Sequence, residues 1–544
     1  MKNKFWICIY FLAIQIVASA QKPIIKWGEQ DKITTGFHSI VTDDKGQLIK
    51  ISNTVRGGTV MVKGLNIDPM KLTPVLTLID GKFNEVKSRT FYDEETLYGN
   101  SEFLKLKNYL YIRSSKYDKE TKTAEHVAQA VNLTTLEPQG KQISFGRFAA
   151  QKTGSYVGRI KTGVSFEVST DSSHLLVFAQ APNETKKKEK FYMGVFDNNV
   201  TKKWERTIEL PYQDNQVRIH DFFVTNAGEV CIIIKLYEGE VKKETIHEDG
   251  EKVPGYSTKL LIYSNANDNA KEYFIDINKK YVQNINLITD VDNNLTLFGT
   301  YKEKEYGYVS GFFTTTLEKN TGKVTLSKIE AFTQELVAAI AKDDQGSKKE
   351  KDPGISSFFR YKEHLVRDNG SIDYIFEYFK AQRLSITSGS SSMNEREQFE
   401  YEYGDILNIN ISKTGKSTVT RIPKFQQFSS ISNLGLPLGI SFKAMAYKNK
   451  LCIFYNDEAE NLERELDKSP IRVTNIKKTK FVMATIDEKG GLSREALYSN
   501  KDDIDAITLI EHSKSIGKNK ISLYALRVGV FTRPKDALGS LELR

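Results

Sequence analysis

The chain is 544 residues long with a formal net charge of +9; it is 39% hydrophobic, 11% aromatic and 27% charged, with 35 Gly, 12 Pro and 3 Cys. These proportions exclude a disordered chain, a collagen, a coiled coil and a disulfide mini-scaffold. The 30 Phe and 26 Tyr lean towards sheet, and the charge forms no polybasic block of the kind a nucleic-acid binder carries.

Residues 1–20 read as a secretory signal peptide. Lys2 and Lys4 supply the positive start, residues 5–17 are apolar apart from Gln15, and Ala18-Ser19-Ala20 offers a small-x-small cleavage site before Gln21. The apolar run is short for a bilayer span, and no later stretch reaches that length. A lipoprotein would need Cys where Gln21 stands. Export from a bacterial cell is expected, to the periplasm, the exterior, or the periphery of the outer membrane. Loss of Lys2 and Lys4 with the signal takes the charge from +9 to +7.

From there one pattern recurs: a half-apolar segment, a tight polar turn, then a strongly apolar strand. It appears first as Ile40-Val41-Thr42-Asp43-Asp44-Lys45-Gly46-Gln47-Leu48-Ile49. The following copies turn at Lys107-Asn108, Asp171-Ser172-Ser173, Asn226-Ala227-Gly228, Asp292-Asn293-Asn294, Asp368-Asn369-Gly370 and Lys448-Asn449. The eighth is looser, turning near Lys518-Asn519. Turn residues that tolerate positive φ between apolar runs signal hairpins. A second hairpin follows several copies, as at residues 192–196 with 204–208, 260–263 with 272–277, 406–411 with 418–422, and 481–486 with 495–498. The unit is thus four antiparallel strands at a period of about 55 to 79 residues, the spacing expected of a repeat architecture.

Four-stranded antiparallel units repeating along a chain are blades, and the mature chain resembles the β-propeller superfamily over essentially its whole length. It is most similar to large-bladed, exported bacterial members without an assigned activity. There is no recurring Gly-His…Trp-Asp, no kelch Gly-Gly in register and only 3 Trp, so no named family's activity carries over. The expectation is all-β: a single propeller of eight blades, or seven if the irregular first or last copy is misread. Pro23-Ile24-Ile25-Lys26-Trp27 is expected as the outer strand of the last blade, closing the ring; the alternative is a loose N-terminal strap. Cys231 and Cys452 fall in equivalent apolar strands and are expected as buried free thiols.

Extra residues gather between second and third strands, at 238–259, 380–404 and 457–478, with a further polar connection at 341–354. Insertions on one side of every repeat map to one face, often the binding face. Within them Ser385-Ile386-Thr387-Ser388-Gly389-Ser390-Ser391-Ser392 is flexible by composition. Ile329, Phe332, Leu336 and Ile340 recur at helical spacing, which predicts one short amphipathic helix in an inter-blade connection.

Seven positions after each inner turn lie Asn53, Ser115, Gln180, Lys235, Thr300, Glu377 and Asn456, with apolar Leu526 in the eighth copy. One column at one height suggests a polar ligand-binding collar near the channel mouth; equally, strands become polar as they leave a core. Glu377 stands out between Phe376, Tyr378 and Phe379, since aromatic neighbours raise a carboxylate's pKa or stack on a sugar. Asp373 on the same strand is about 13 Å away, too far to form a glycosidase pair with it.

Metal and nucleotide chemistry find little support. The seven His (His38, His126, His174, His220, His247, His364, His512) stand singly, and no nucleophile elbow, phosphate loop or dinucleotide fingerprint occurs. Asp290-x-Asp292-x-Asn294 opens like a Ca²⁺ loop, but Leu295 and Tyr301 occupy the places of its Gly and closing Glu. No cofactor or metal is expected. The leading reading is a non-enzymatic propeller that binds a protein or cell-envelope partner through its loop-rich face. The alternatives are a glycan hydrolase or lyase using carboxylates near the channel mouth, with Glu377 its catalytic residue, and a glycan- or small-ligand-binding module.

Overall fold

The computed structural model describes residues 22–32, 36–43, 46–56, 71–91, 97–107, 109–152, 160–181, 187–239, 242–290, 294–318, 321–341, 354–386, 396–431, 439–527 and 534–544. The strands form eight consecutive antiparallel sheets, each a meander that pairs neighbour to neighbour. Blade 3 shows the plan: Val164–Val168, His174–Gln180, Lys188–Asp197 and Lys202–Gln213, paired in that order. Its second strand reads Leu175, Leu176, Val177, Phe178 without polar alternation, because both faces of a blade are covered by neighbouring blades.

The blades cannot bury those faces alone. Eight apolar clusters do it, each joining one blade to the next, from Leu76 with Ile112 between blades 1 and 2 to Phe454 with Leu523 between blades 7 and 8. An eighth seam, Ile40, Leu48 and Ile79 against Leu509, Tyr524 and Leu538, joins the last blade to the first. The ring is therefore closed, by packing as well as by a strand. Ile24–Trp27 pairs antiparallel with Lys535–Glu542, from Ile24 opposite Glu542 to Trp27 opposite Gly539. The N-terminal segment thus supplies the outer strand of blade 8, as its sequence suggested. Gly539 is required there, since a Cβ would sit 2.6 Å from both the Lys26 carbonyl oxygen and the Trp27 ring.

Three boundaries differ from expectation. Ile329 belongs to the last strand of blade 5, Val324–Ala331, and the helix is only Gln334–Ala341, started by Thr333, whose Oγ1 accepts from the Leu336 N–H at 3.3 Å. Ladder pairing claims Ile329, whereas Phe332 and Ile340 pack as foreseen in the blade 5–6 seam. The blade 4 insertion ends before Tyr256, where the third strand Tyr256–Ser264 begins, and folds its own hairpin, Thr245–Glu248 with Glu251–Pro254. In blade 6, residues 380–386 and 396–404 are not loop; they extend the second and third strands, Ile372–Ile386 and Arg396–Ile411. Most of 341–354, residues 387–395 and the centre of the Ca²⁺-like turn lie outside the described residues. Cys231 and Cys452 are both free and buried. Among the described residues no helix is long and apolar enough to cross a membrane.

Candidate functional site

Among the described residues, blade 6 departs from regular blade geometry. Its outer edge is not one strand but two, Ser417–Ile422 and Gln426–Ile431, both paired with the long third strand. Pro423, between the two edge strands, cannot donate to a ladder, and Gly404 on the third strand lies where a Cβ would press on Tyr378 at 3.0 Å. Register slips at the same level between the second and third strands, between Glu377 and Phe379. The sheet is thereby parted across several strands, and Lys424 turns inward through the gap.

There Lys424 Nζ donates to Glu377 Oε1 at 2.8 Å and to Gln426 Oε1 at 3.2 Å. Both charged side chains are 0% exposed. Ser441 Oγ donates to Glu377 Oε2 at 2.6 Å, and Lys362 reaches the same oxygen at 3.3 Å. The Gln426 amide passes the connection on to blade 7, donating to the Asn456 carbonyl oxygen at 2.8 Å. Asn456 then donates to the carbonyl oxygens of Gly439 at 2.8 Å and Thr508 at 2.9 Å, and accepts from Asn500 at 2.8 Å. One buried polar chain therefore runs from blade 6 through blade 7 into blade 8. Such chains hold a unique arrangement only if their members are satisfied, as these are.

Above this floor opens a cleft of about 440 Å³, lined by Phe359, Tyr378, Phe425, Pro470 and Ile340 and by Lys380, Glu402, Asp405, Gln427 and Arg472, with Lys424 in its base. That volume falls in the ~300–1,000 Å³ range of small-ligand sites. Its far wall comes from the blade 7 insertion. Val473 forms a parallel bridge to Gln426, its N–H donating to the Phe425 carbonyl oxygen at 2.8 Å, while Gln427 N–H donates to its carbonyl oxygen at 3.2 Å. The insertion is fixed at its root by Asp457, the last residue of the second strand of blade 7. Its Oδ1 accepts from Asn461 Nδ2 at 2.7 Å, and Asn461 clamps Ile471 through both backbone groups, at 2.9 and 2.7 Å. Burial pushes the Asp457 carboxyl up to about 7.

The polar column does not gather into a single site. Glu377 and Asn456 share the buried chain, and both are closed to solvent between blades. Lys235, also buried, pairs with Glu244 of the blade 4 insertion at 3.3 Å over the Tyr256 ring; burial pushes its ammonium pKa down against the pull of Glu244. Gln180 is exposed and bonds Glu189 across its own blade at 2.8 Å. Ser115 meets His126 Nδ1 at 3.1 Å, again within one blade. Thr300 is buried in the blade 5–6 seam, its Oγ1 without a partner among the described residues, and Asn53 Oδ1 stands likewise. Side chains of a blade's second strand point at the adjacent blades, not down the channel, so a shared height does not create a shared cavity. Asp373 is spent on Arg367, which grips it through two nitrogens at 2.6 and 2.8 Å and reaches the blade 7 backbone at Asn449 and Asp487.

Sequence reasoning missed Lys424, Gln426, Ser441 and the cleft walls. The traceable signals were a Pro within an outer strand and a Gly-Asp interrupting a strongly alternating one.

No family model and no curated protein sequence matches the chain. Among solved structures it is similar to the WD40 domain of SCAP from fission yeast, at 9% identity over 96% of this chain and 98% of that one, with a TM-score of 0.37. A protein of unknown function from Dyadobacter fermentans DSM 18053 matches at 8% identity over 70% and 94%, TM-score 0.29. Prolyl oligopeptidase B from Galerina marginata matches at 9% identity over 90% of this chain, which spans only 55% of that protein, TM-score 0.36. These likenesses are weak, and the assignment stands on strand order and ring closure. By its eight four-stranded meanders, eight inter-blade seams and a last blade completed by the N-terminal strand, the fold is an eight-bladed β-propeller.

Proposed function

We propose that the protein is an exported, non-enzymatic propeller that binds a protein partner of the cell envelope through its loop-rich face, with the blade 6–7 cleft as the contact. The observation that carries this reading is the joining of the blade 7 insertion to the outer edge of blade 6 in one built wall. The parallel bridge at Val473 and the Asp457–Asn461–Ile471 clamp hold the blade 7 insertion against the parted sheet of blade 6. Loops that merely drift on a tolerant surface have no need of fully buried anchors at their roots. The hydrolase alternative loses support because Glu377, its candidate catalytic residue, is sealed beneath the floor and held by Lys424 and Ser441.

The test is capture from envelope extract by the immobilised chain beginning at Gln21. Ser469 is exposed at the mouth, so Ser469→Trp fills the cleft without touching the core. Lys252→Ala, in the blade 4 hairpin, serves as the control. A stoichiometric partner retained by the control and lost by Ser469→Trp is expected. Retention by Ser469→Trp would overturn the assignment of the cleft.

A further inference from the structure

The cleft's chemistry narrows its occupant, on the reading that it is the partner contact. Its charges divide into spent and unspent. Lys424 is neutralised by Glu377, and Asp405 by Arg421, whose Nε donates to it at 2.5 Å while the Lys424 N–H adds a bond at 3.1 Å. Lys380 meets only the Phe358 ring, at 5.9 Å, and Arg472 only the neutral Gln427 Oε1; neither has a carboxylate partner among the described residues. A guanidinium has five N–H donors, so one amide leaves most of Arg472's capacity open. Against these two cations stands Glu402, which lies across the ladder from Lys380 and accepts from Gln427 at 3.4 Å. The mouth is thus net positive.

The cleft also has apolar walls, but they offer no stacking platform at Tyr378. Gly404 packs on that ring, where an added Cβ would lie 3.0 Å from Cδ1, and Phe358 and Phe359 meet it edge-on at 5.9 and 5.8 Å. A sugar needs an open ring face, whereas an apolar side chain needs converging walls such as Phe359, Phe425, Pro470 and Ile340 provide. Phe358 and Leu466, both exposed despite their size, add apolar surface beside the Lys380 and Arg421 groups they contact.

We infer that the cleft takes an acidic peptide segment, an aromatic or aliphatic side chain inserting between the apolar walls and an adjacent carboxylate held between Lys380 and Arg472. Peptide recognition of this form combines one buried anchor with charge complementarity at the rim.

The probe is a fluorescein-labelled Gly-Phe-Asp-Gly peptide with blocked ends, followed by polarisation. Gly-Phe-Asn-Gly, Gly-Ala-Asp-Gly and an oligogalacturonate are the comparison ligands. Binding of the Phe-Asp peptide should weaken at least about tenfold on loss of either its carboxylate or its ring, the scale of one good contact. It should also fall as salt rises from about 0.05 to 0.5 M, as screening requires. Lys380→Glu with Arg472→Glu should abolish it and create binding to Gly-Phe-Lys-Gly, a gain that a misfolded variant cannot produce. Binding indifferent to charge reversal, preference for the uronate, or no peptide binding by the unaltered chain would overturn the inference. Envelope capture lost in Ser469→Trp with no peptide binding would leave the proposed function standing and this inference refuted; peptide binding without envelope capture would do the reverse.

Discussion

Replacing Lys424 by Met removes a cation that is 0% exposed and leaves Glu377, equally buried, with one hydroxyl and the ammonium of the part-exposed Lys362. Breaking a buried ion pair by deleting one partner costs about 3–5 kcal/mol, because the remaining charge keeps its desolvation penalty. Two features set the value within that range. Lys362 at 3.3 Å is a second cation for the same carboxylate, but its side chain is 38% exposed and its field is weakened by solvent. Gln426 Oε1 also loses a donor, although Ser441 N–H still serves it at 3.0 Å. The expectation is about 3 kcal/mol for Lys424→Met, near the low end of that range. Adding Glu377→Gln, which removes the orphaned charge and keeps the Ser441 contact, should recover at least about 1 kcal/mol, a coupling of the size shown by contacting residues. The measurement is urea unfolding of the four members of the cycle, read by tyrosine and tryptophan fluorescence. A cost below about 1 kcal/mol for Lys424→Met, or strict additivity of the two changes, would show that the pair does not hold the parted sheet.

The Asp457 carboxyl, raised by burial from 3.8 to about 7, makes stability depend on pH in a stated direction. Between these values the folded chain binds a proton that the unfolded chain has lost, so stability declines as pH rises from about 4 to about 7 and levels off above. Glu511 is raised by burial to about 7 and adds to the same decline. Asp457→Asn with Glu511→Gln should flatten the urea midpoint between pH 4.5 and 7.5, and an unchanged slope would refute the assignment. At the closure, Gly539→Val places side-chain atoms on Lys26 and Trp27, so trypsin should cut after Lys32 faster than in the unaltered chain. Equal cleavage rates would mean that the closing strand does not depend on that contact.

The blade pattern was readable because it is local. Each inner hairpin is written within about 15 residues as turn chemistry between two apolar runs, and such signals need no tertiary knowledge. Ring closure was readable because Pro23 to Trp27 had strand character and a closed ring calls for one blade built from both chain ends. The cleft was not readable, for a physical reason. It arises where Gly404 packs on Tyr378 beside a register slip and where the outer edge breaks between Ile422 and Gln426, residues separated in sequence. Periodicity assigned residues 380–404 to a loop because their polar and charged side chains mask a ladder that pairs Lys380 with Glu402 and Arg383 with Phe399. The helix was misplaced at its start for the opposite reason, Ile329 fitting two periods until pairing with Phe313 decides between them.

The polar column has a different logic from the one its alignment suggested. Lys235 meets Glu244 in the blade 4 insertion, Gln180 meets Glu189 where its third strand begins, and Glu377 takes Lys424 from the break in the outer edge of blade 6. Asn456 bonds the carbonyl oxygens of Gly439 and Thr508, binding the entrance of its own blade to the first strand of the next. In each case a second strand is leaving the core at the level where long or irregular connections return to it. Backbone and charged groups at such roots are drawn out of water, and one polar side chain from the strand satisfies them at less cost than leaving them bare. Lys235, Glu377 and Asn456 are therefore anchors, whereas Ser115 bonds only within its own blade and Thr300 Oγ1 and Asn53 Oδ1 have no partner among the described residues. Their position, where the second strands leave the core, holds the connections that follow while the seams below stay apolar.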